Sequence, residues 1–235
     1  MSSSIQVVAL GGGGFSTEPD NPLLDNYILK QSRRSPPRVC FVPTASGDNA
    51  LYIEHFYRHF DGRCIPVHLS LFARTVADLT AFLVEQDIVY VGGGNTANLL
   101  AVWRAHRCDD ALRVAAQNGV VLAGVSAGAL CWFMSGLTDS FGPPLTVLER
   151  GLRLISMSGC PHYDADPARR RRFHELIANG RLAPGVAIDN GAGVHFVDGD
   201  VARVVASHPG ATAYAVDCAD GQVRERALPS HYLGT

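Results

Sequence analysis

Val120-Val121-Leu122-Ala123-Gly124-Val125-Ser126-Ala127-Gly128 is the stretch on which the fold turns. Residues 120–125 form an apolar run far too short to cross a bilayer. They read as a buried strand that passes, through a turn of small residues, into a helix predicted over residues 127–134. A strand buried on both faces and followed at once by a helix is the building unit of a parallel sheet. The rhythm repeats upstream, with strands predicted over 5–10, 38–43, 64–69 and 88–91 and helical spacing of apolar residues over 48–60, 75–85, 97–105 and 109–117. Downstream, residues 186–189, 193–197, 202–206 and 213–216 are short strands joined by tight turns such as Asp198-Gly199. They predict an antiparallel extension of the same sheet. The expected architecture is a single α/β domain over residues 1–235, with a mostly parallel sheet flanked by helices and a short antiparallel C-terminal extension.

Composition narrows the function. In 235 residues, 47% are hydrophobic and 18% charged, which supplies one sizeable core and excludes a chain dominated by disorder. A net charge of −2 gives no electrostatic footprint for nucleic acid or an anionic membrane. Met1-Ser2-Ser3-Ser4-Ile5 lacks the basic and apolar regions of a secretory signal. Six cysteines occur without a C-x-x-C pair, mostly within apolar segments, and read as reduced thiols of a cytoplasmic protein.

Gly124-Val125-Ser126-Ala127-Gly128 is a G-x-S-x-G motif in the strand–turn–helix context that gives it meaning. A nucleophile at such a turn stands above the sheet, and the following helix points its N-terminus at the reaction site, so the Ala127 N–H is placed to receive an oxyanion. One strand earlier, Val91-Gly92-Gly93-Gly94-Asn95-Thr96 ends in a loop whose backbone can approach a ligand closely, and Gly93 or Gly94 is the expected second oxyanion donor. Gly11 to Gly14 lack the third glycine of a dinucleotide fingerprint, Ser16 standing in its place, and read as a first turn lining the same crevice.

Ser126 needs a base within hydrogen-bond reach. Of nine histidines, His55 and His59 have zinc-like spacing but no third ligand, while His68, His106 and His174 read as core or surface. His162, in Ser158-Gly159-Cys160-Pro161-His162-Tyr163-Asp164, follows an apolar stretch and is fixed by the preceding proline. The spacing of His162, Asp164 and Asp166 resembles a metal-binding run, but no metal is expected. The G-x-S-x-G is shared with α/β-hydrolase esterases, in which His208 or His231 would serve as base. A metabolite-binding domain built on the glycine loops is the non-enzymatic alternative.

Residues 91–96 and 124–128, followed by Pro161-His162, resemble the peptidase E (aspartyl dipeptidase) group of serine peptidases, relatives of cyanophycinase. Residues 10–15 and 41–46 match one branch of that group. The resemblance extends over about residues 5–216. It implies a fold like the class I glutamine amidotransferases (flavodoxin-like), a Ser126–His162 hydrolase without cofactor, and short peptides carrying an N-terminal aspartate as substrates of a monomer or homodimer. Many relatives have an acid where this chain has Asn190, and in the enterobacterial type an aspartate matching Asp139 completes the triad. Asn190 is the favoured third member, Asp139 the charged alternative, and neighbouring Asp189 is expected to point the opposite way. Relatives carry T-R-x-x-R where this chain has Ala168-Arg169-Arg170-Arg171-Arg172, which assigns Arg169 and Arg172 to the substrate's carboxylate, with Ala168 in place of the threonine.

Overall fold

The computed structural model describes residues 4–234. Five parallel strands form the heart of the first sheet: β1 (Gln6–Leu10), β2 (Arg38–Val42), β3 (Ile65–His68), β4 (Ile88–Val91) and β5 (Val121–Val125). They are linked by helices α1 (Leu23–Leu29), α2 (Ala50–Phe60), α3 (Leu79–Val84), α4 (Thr96–His106) and α5 (Cys108–Gln117). After β5 come α6 (Ala127–Leu130), β6 (Phe133–Thr138), β7 (Thr146–Leu148), β8 (Ile155–Pro161), α7 (Pro167–Ala178) and β9 (Gly185–Ile188). The chain closes with β10 (Ala192–Val197), β11 (Asp200–Ala206), β12 (Ala213–Ala219), β13 (Gln222–Ala227) and β14 (Ser230–Tyr232).

The strands sort into two sheets, ordered β14-β11-β10-β1-β5-β4-β2-β3 and β13-β12-β9-β8-β6-β7. The expected antiparallel extension therefore holds for β10 and β11, which continue the first sheet beyond β1. It fails for residues 186–189 and 213–216, which lie in β9 and β12 of the second sheet. The predicted helix over 127–134 is also corrected: it stops at Leu130 and the chain turns into β6. The cause is long-range. The carbonyls of Cys131, Trp132 and Phe133 accept N–H groups from Leu152, Leu154, Ile155 and Arg153, so the backbone is committed to a partner over twenty residues away.

Along β1 the pleat sends Val7 and Ala9 to one face and Val8 and Leu10 to the other, which is why the strand reads as an unbroken apolar run. On the second of those faces, α1 and α2 bury Leu24, Ile28, Phe56 and Phe60 against Phe41 and Tyr90. On the first, α4 and α5 share a core with both sheets, among them Trp103, Leu112, Phe133, Ile188 and Phe196. Helix α7 covers the far face of the second sheet with Phe173, Leu176 and Ile177. No helix among the described residues is long and apolar enough to cross a membrane.

Candidate active site

Register places the parts. Leu10 lies beside Val125 and Val91 beside Gly124, so β1, β4 and β5 end level with one another. In the second sheet Pro161 lies beside Ile188, which brings the residues after β8 and β9 to a common height.

Ser126 occupies the turn from β5 into α6 with φ 57° and ψ −112°, a backbone conformation unusual for a side chain beyond glycine. Close packing enforces it. A Cβ on Gly124 would lie 2.1 Å from the Gly128 carbonyl oxygen, and one on Gly128 would lie 2.2 Å from that of Val91. As the first helical residue, Ala127 has no intrahelical acceptor for its N–H.

The second half of the site arrives through the backbone of Leu10, Gly11 and Gly12. The carbonyl of Leu10 accepts the Ser126 N–H at 3.0 Å, that of Gly11 the His162 N–H at 3.1 Å, and that of Gly12 the Gly191 N–H at 3.1 Å. Gly12 also bridges to Asn190, tying the end of β1 to the end of β9. A side chain cannot be tolerated there: a Cβ on Gly12 would lie 2.1 Å from Asn190 Oδ1 and 3.1 Å from His162 Nδ1. The glycine run thus docks the second sheet's loops onto the first, whereas the crevice beside the serine is walled by other residues and not by Gly11 to Gly14, contrary to expectation.

Across this junction the Ser126 hydroxyl donates to His162 Nε2 at 2.7 Å, and His162 Nδ1 donates to Asn190 Oδ1 at 2.7 Å. Asn190 directs its Nδ2 at Asp164 Oδ1, 2.8 Å away, which fixes the amide orientation and with it the imidazole tautomer. Asp189 points the other way, accepting the Thr212 N–H at 3.3 Å, and burial pushes its carboxyl up to about 6. Asp139 does not reach the histidine. It pairs with Arg169, Nη2 to Oδ2 at 3.4 Å.

A cavity of about 70 Å³ opens beside the serine, lined by Gly94, Thr96, Ser126, Ala127, His162 and Arg169, with Asp139 among its other walls. The Arg169 side chain is only 12% exposed, whereas Arg172, one turn on, is spent on the Leu145 carbonyl and Glu175. The two arginines that share a spacing are thus separated by structure. Gly93 and Gly94 differ as well: Gly93 donates its N–H to Tyr52 Oη at 3.2 Å, a hydroxyl also bonded to Ser16, while Gly94 faces the cavity. Tyr52 and Asp164 escape the sequence reading. Tyr52 carries no motif, and Asp164 was visible only as part of a histidine–aspartate run.

The remaining candidates lie elsewhere. His59 pairs with the fully buried Asp25 at 3.0 Å, and His208 pairs with Glu18 at 3.2 Å. Burial raises the thiol of Cys160 to about 12 and that of Cys131 well above its ordinary value, so neither is poised as a thiolate.

Residues 7–204 match the description of peptidase family S51. The chain belongs to that family. It is 52% identical over 230 residues to the uncharacterized peptidase YgaJ of Bacillus subtilis (strain 168), covering 97% of this chain and 99% of that protein. It is also 26% identical over 196 residues to peptidase E of Pasteurella multocida (strain Pm70), covering 80% of this chain and 81% of that one. In fold it resembles a peptidase from an acI-B1 actinobacterium, with a TM-score of 0.66, 16% identity and coverage of 97% of this chain and 99% of that one. This S51 chain is accordingly a peptidase with the peptidase E fold.

Proposed function

We propose that this S51 peptidase is a serine hydrolase of short peptides, with dipeptides bearing an N-terminal aspartate as its preferred substrates. The observation that carries the reading is the unbroken donor chain from the Ser126 hydroxyl through both nitrogens of His162 to Asn190. Ser126 Oγ attacks the scissile carbonyl carbon while its proton moves to His162 Nε2. The N–H groups of Ala127 and Gly94 hold the oxyanion, each worth about 10²- to 10³-fold in rate. Collapse of the tetrahedral intermediate breaks the C–N bond, and the leaving amine takes the proton from His162. Water, deprotonated by the same imidazole, then hydrolyses the acyl-enzyme.

Asn190 serves as the orienting third member in place of the acid found in many Ser-His-acid sites, as asparagine does in Cys-His-Asn enzymes. The largely buried guanidinium of Arg169 supports the choice of substrate: it lies in a cavity sized for a short acidic side chain, with the Asp139 carboxylate as its one salt-bridge partner among the described residues. Asp139, exposed at the rim, offers that carboxylate to the substrate's free amino group. All six cysteines are free, five of them buried, which suits work in the reducing cytoplasm.

The test is a substrate panel of Asp-X dipeptides, isoaspartyl dipeptides and p-nitrophenyl esters, run with the wild type and Ser126→Ala. Turnover of Asp-X that disappears in the variant supports the assignment. Retained turnover in Ser126→Ala, or hydrolysis of the esters alone, refutes it.

A further inference from the structure

The histidine–aspartate run after β8 contains a residue for which the triad leaves no role. Asp164 lies two positions past His162 and is exposed, yet one of its carboxylate oxygens receives both the backbone N–H of Asn190 at 2.7 Å and the Asn190 Nδ2–H at 2.8 Å. A carboxylate only accepts, so Asn190 must present its nitrogen to Asp164 and its oxygen to His162. Without that constraint the amide has two orientations of similar shape. One of them offers an N–H to His162 Nδ1, selecting the tautomer whose Nε2 carries the proton and cannot take the one from Ser126.

From this geometry we infer that Asp164 is a positioning residue, a fourth member of the Ser126–His162–Asn190 relay that sets the amide and supplies the negative charge Asn190 lacks. Every hydrogen bond in the relay donates in one direction, from serine to histidine to asparagine to aspartate. Positive charge forming on His162 is therefore met by an amide dipole backed by an anion. The arrangement places the charge one residue further from the imidazole than a Ser-His-Asp triad does. It also explains how the chain tolerates an amide at position 190. The inference rests on the Ser126–His162 reading.

Its test is kinetic, on an Asp-X dipeptide, with the labelling rate of Ser126 by a fluorophosphonate as a readout independent of substrate choice. Outer partners that orient an imidazole in metal sites cost about 10- to 100-fold when removed, and Asp164→Ala is expected to lower kcat and the labelling rate by that much while KM stays within about twofold. Asp164→Asn keeps an acceptor but loses the charge, and falls between the two. The deciding variant is the exchange. Asn190→Asp alone sets two carboxylates where a 2.8 Å contact stands and loses activity. Asn190→Asp combined with Asp164→Asn removes that repulsion, because the amide at position 164 can turn its nitrogen to the carboxylate at position 190 and its oxygen to the backbone N–H of residue 190, and it recovers much of the wild-type kcat.

A merely structural Asp164 would not be rescued by the exchange. Wild-type kcat in Asp164→Ala, or a double variant no faster than Asn190→Asp, overturns the inference. If Ser126→Ala is inactive while either of those results is found, only the role of Asp164 falls. If Ser126→Ala keeps its turnover, the Ser–His reading itself has failed.

Discussion

Around Ser126 the side-chain room is made close by, since Gly124 and Gly128 flank it in sequence and α6 begins at the next residue, while its N–H and the packing of Gly128 lean on the neighbouring parallel strands through the carbonyls of Leu10 and Val91. Around His162 the constraints come from afar. Its N–H is held by Gly11 and its Nδ1 by Asn190, more than a hundred positions before it and twenty-eight after it. The serine turn is built by small neighbours in sequence set within one sheet, and the histidine beside it by the docking of one sheet's loops against another. The first construction needs the local motif and its place between the parallel strands of one sheet. The second depends on contacts that any slip between the sheets would undo.

The largest effect separates the chemistry from both constructions. Ser126→Ala is expected to cost about 10⁶-fold in kcat, as in a triad acting as a unit, with circular dichroism unchanged. Gly12→Ala attacks only the distant half, driving a methyl into Asn190 and His162, and is expected to lower kcat by about 10³- to 10⁴-fold through a misplaced imidazole. If Gly12→Ala is as active as wild type, the two halves are not joined as described. Arg169→Met probes the cavity between them. Loss of a charged hydrogen bond of about 1.5–3 kcal/mol raises KM for Asp-X by about 10- to 100-fold, while Arg172→Ala leaves KM within about twofold of wild type. Equal effects of the two arginine changes would place the carboxylate elsewhere.

The smallest effect is on stability. Asp189 is 6% exposed and its carboxyl, raised by burial to about 6, binds a proton more readily in the folded than in the unfolded chain. Folding stability contributed at this residue is therefore present at low pH and is lost as pH rises between about 4 and 6. Asp189→Asn is expected to gain about 1–3 kcal/mol relative to wild type at pH 7.5 over its difference at pH 4, measured by urea unfolding at the two pH values. A difference independent of pH would show that the buried carboxyl is not the source.

The same contrast governs what could be read in advance. The five parallel strands, the serine turn and the glycine loop after β4 were legible because each is encoded by residues adjacent in the chain. His162 was legible through its proline and the strand before it, and Asn190 only through resemblance. The second sheet was not, because Trp132-Phe133-Met134 carries apolar residues that suit a continued helix as well as a strand, and only the partner segment 151–155 decides between them. Gly93 and Gly94 were indistinguishable until Tyr52 claimed one of them. Arg169 and Arg172 share a spacing, and their separation depends on where Leu145 and Glu175 happen to lie.

The successive carbonyls of Leu10, Gly11 and Gly12 bond the segments carrying serine, histidine and asparagine in that order. The last residue of β1 and the two glycines after it thus act as a ruler against which the three side chains are measured. During synthesis that ruler is made before any of the parts it aligns, so the Ser126–His162–Asn190 hydrogen-bond chain cannot close until residue 190 has been made and folded back upon it.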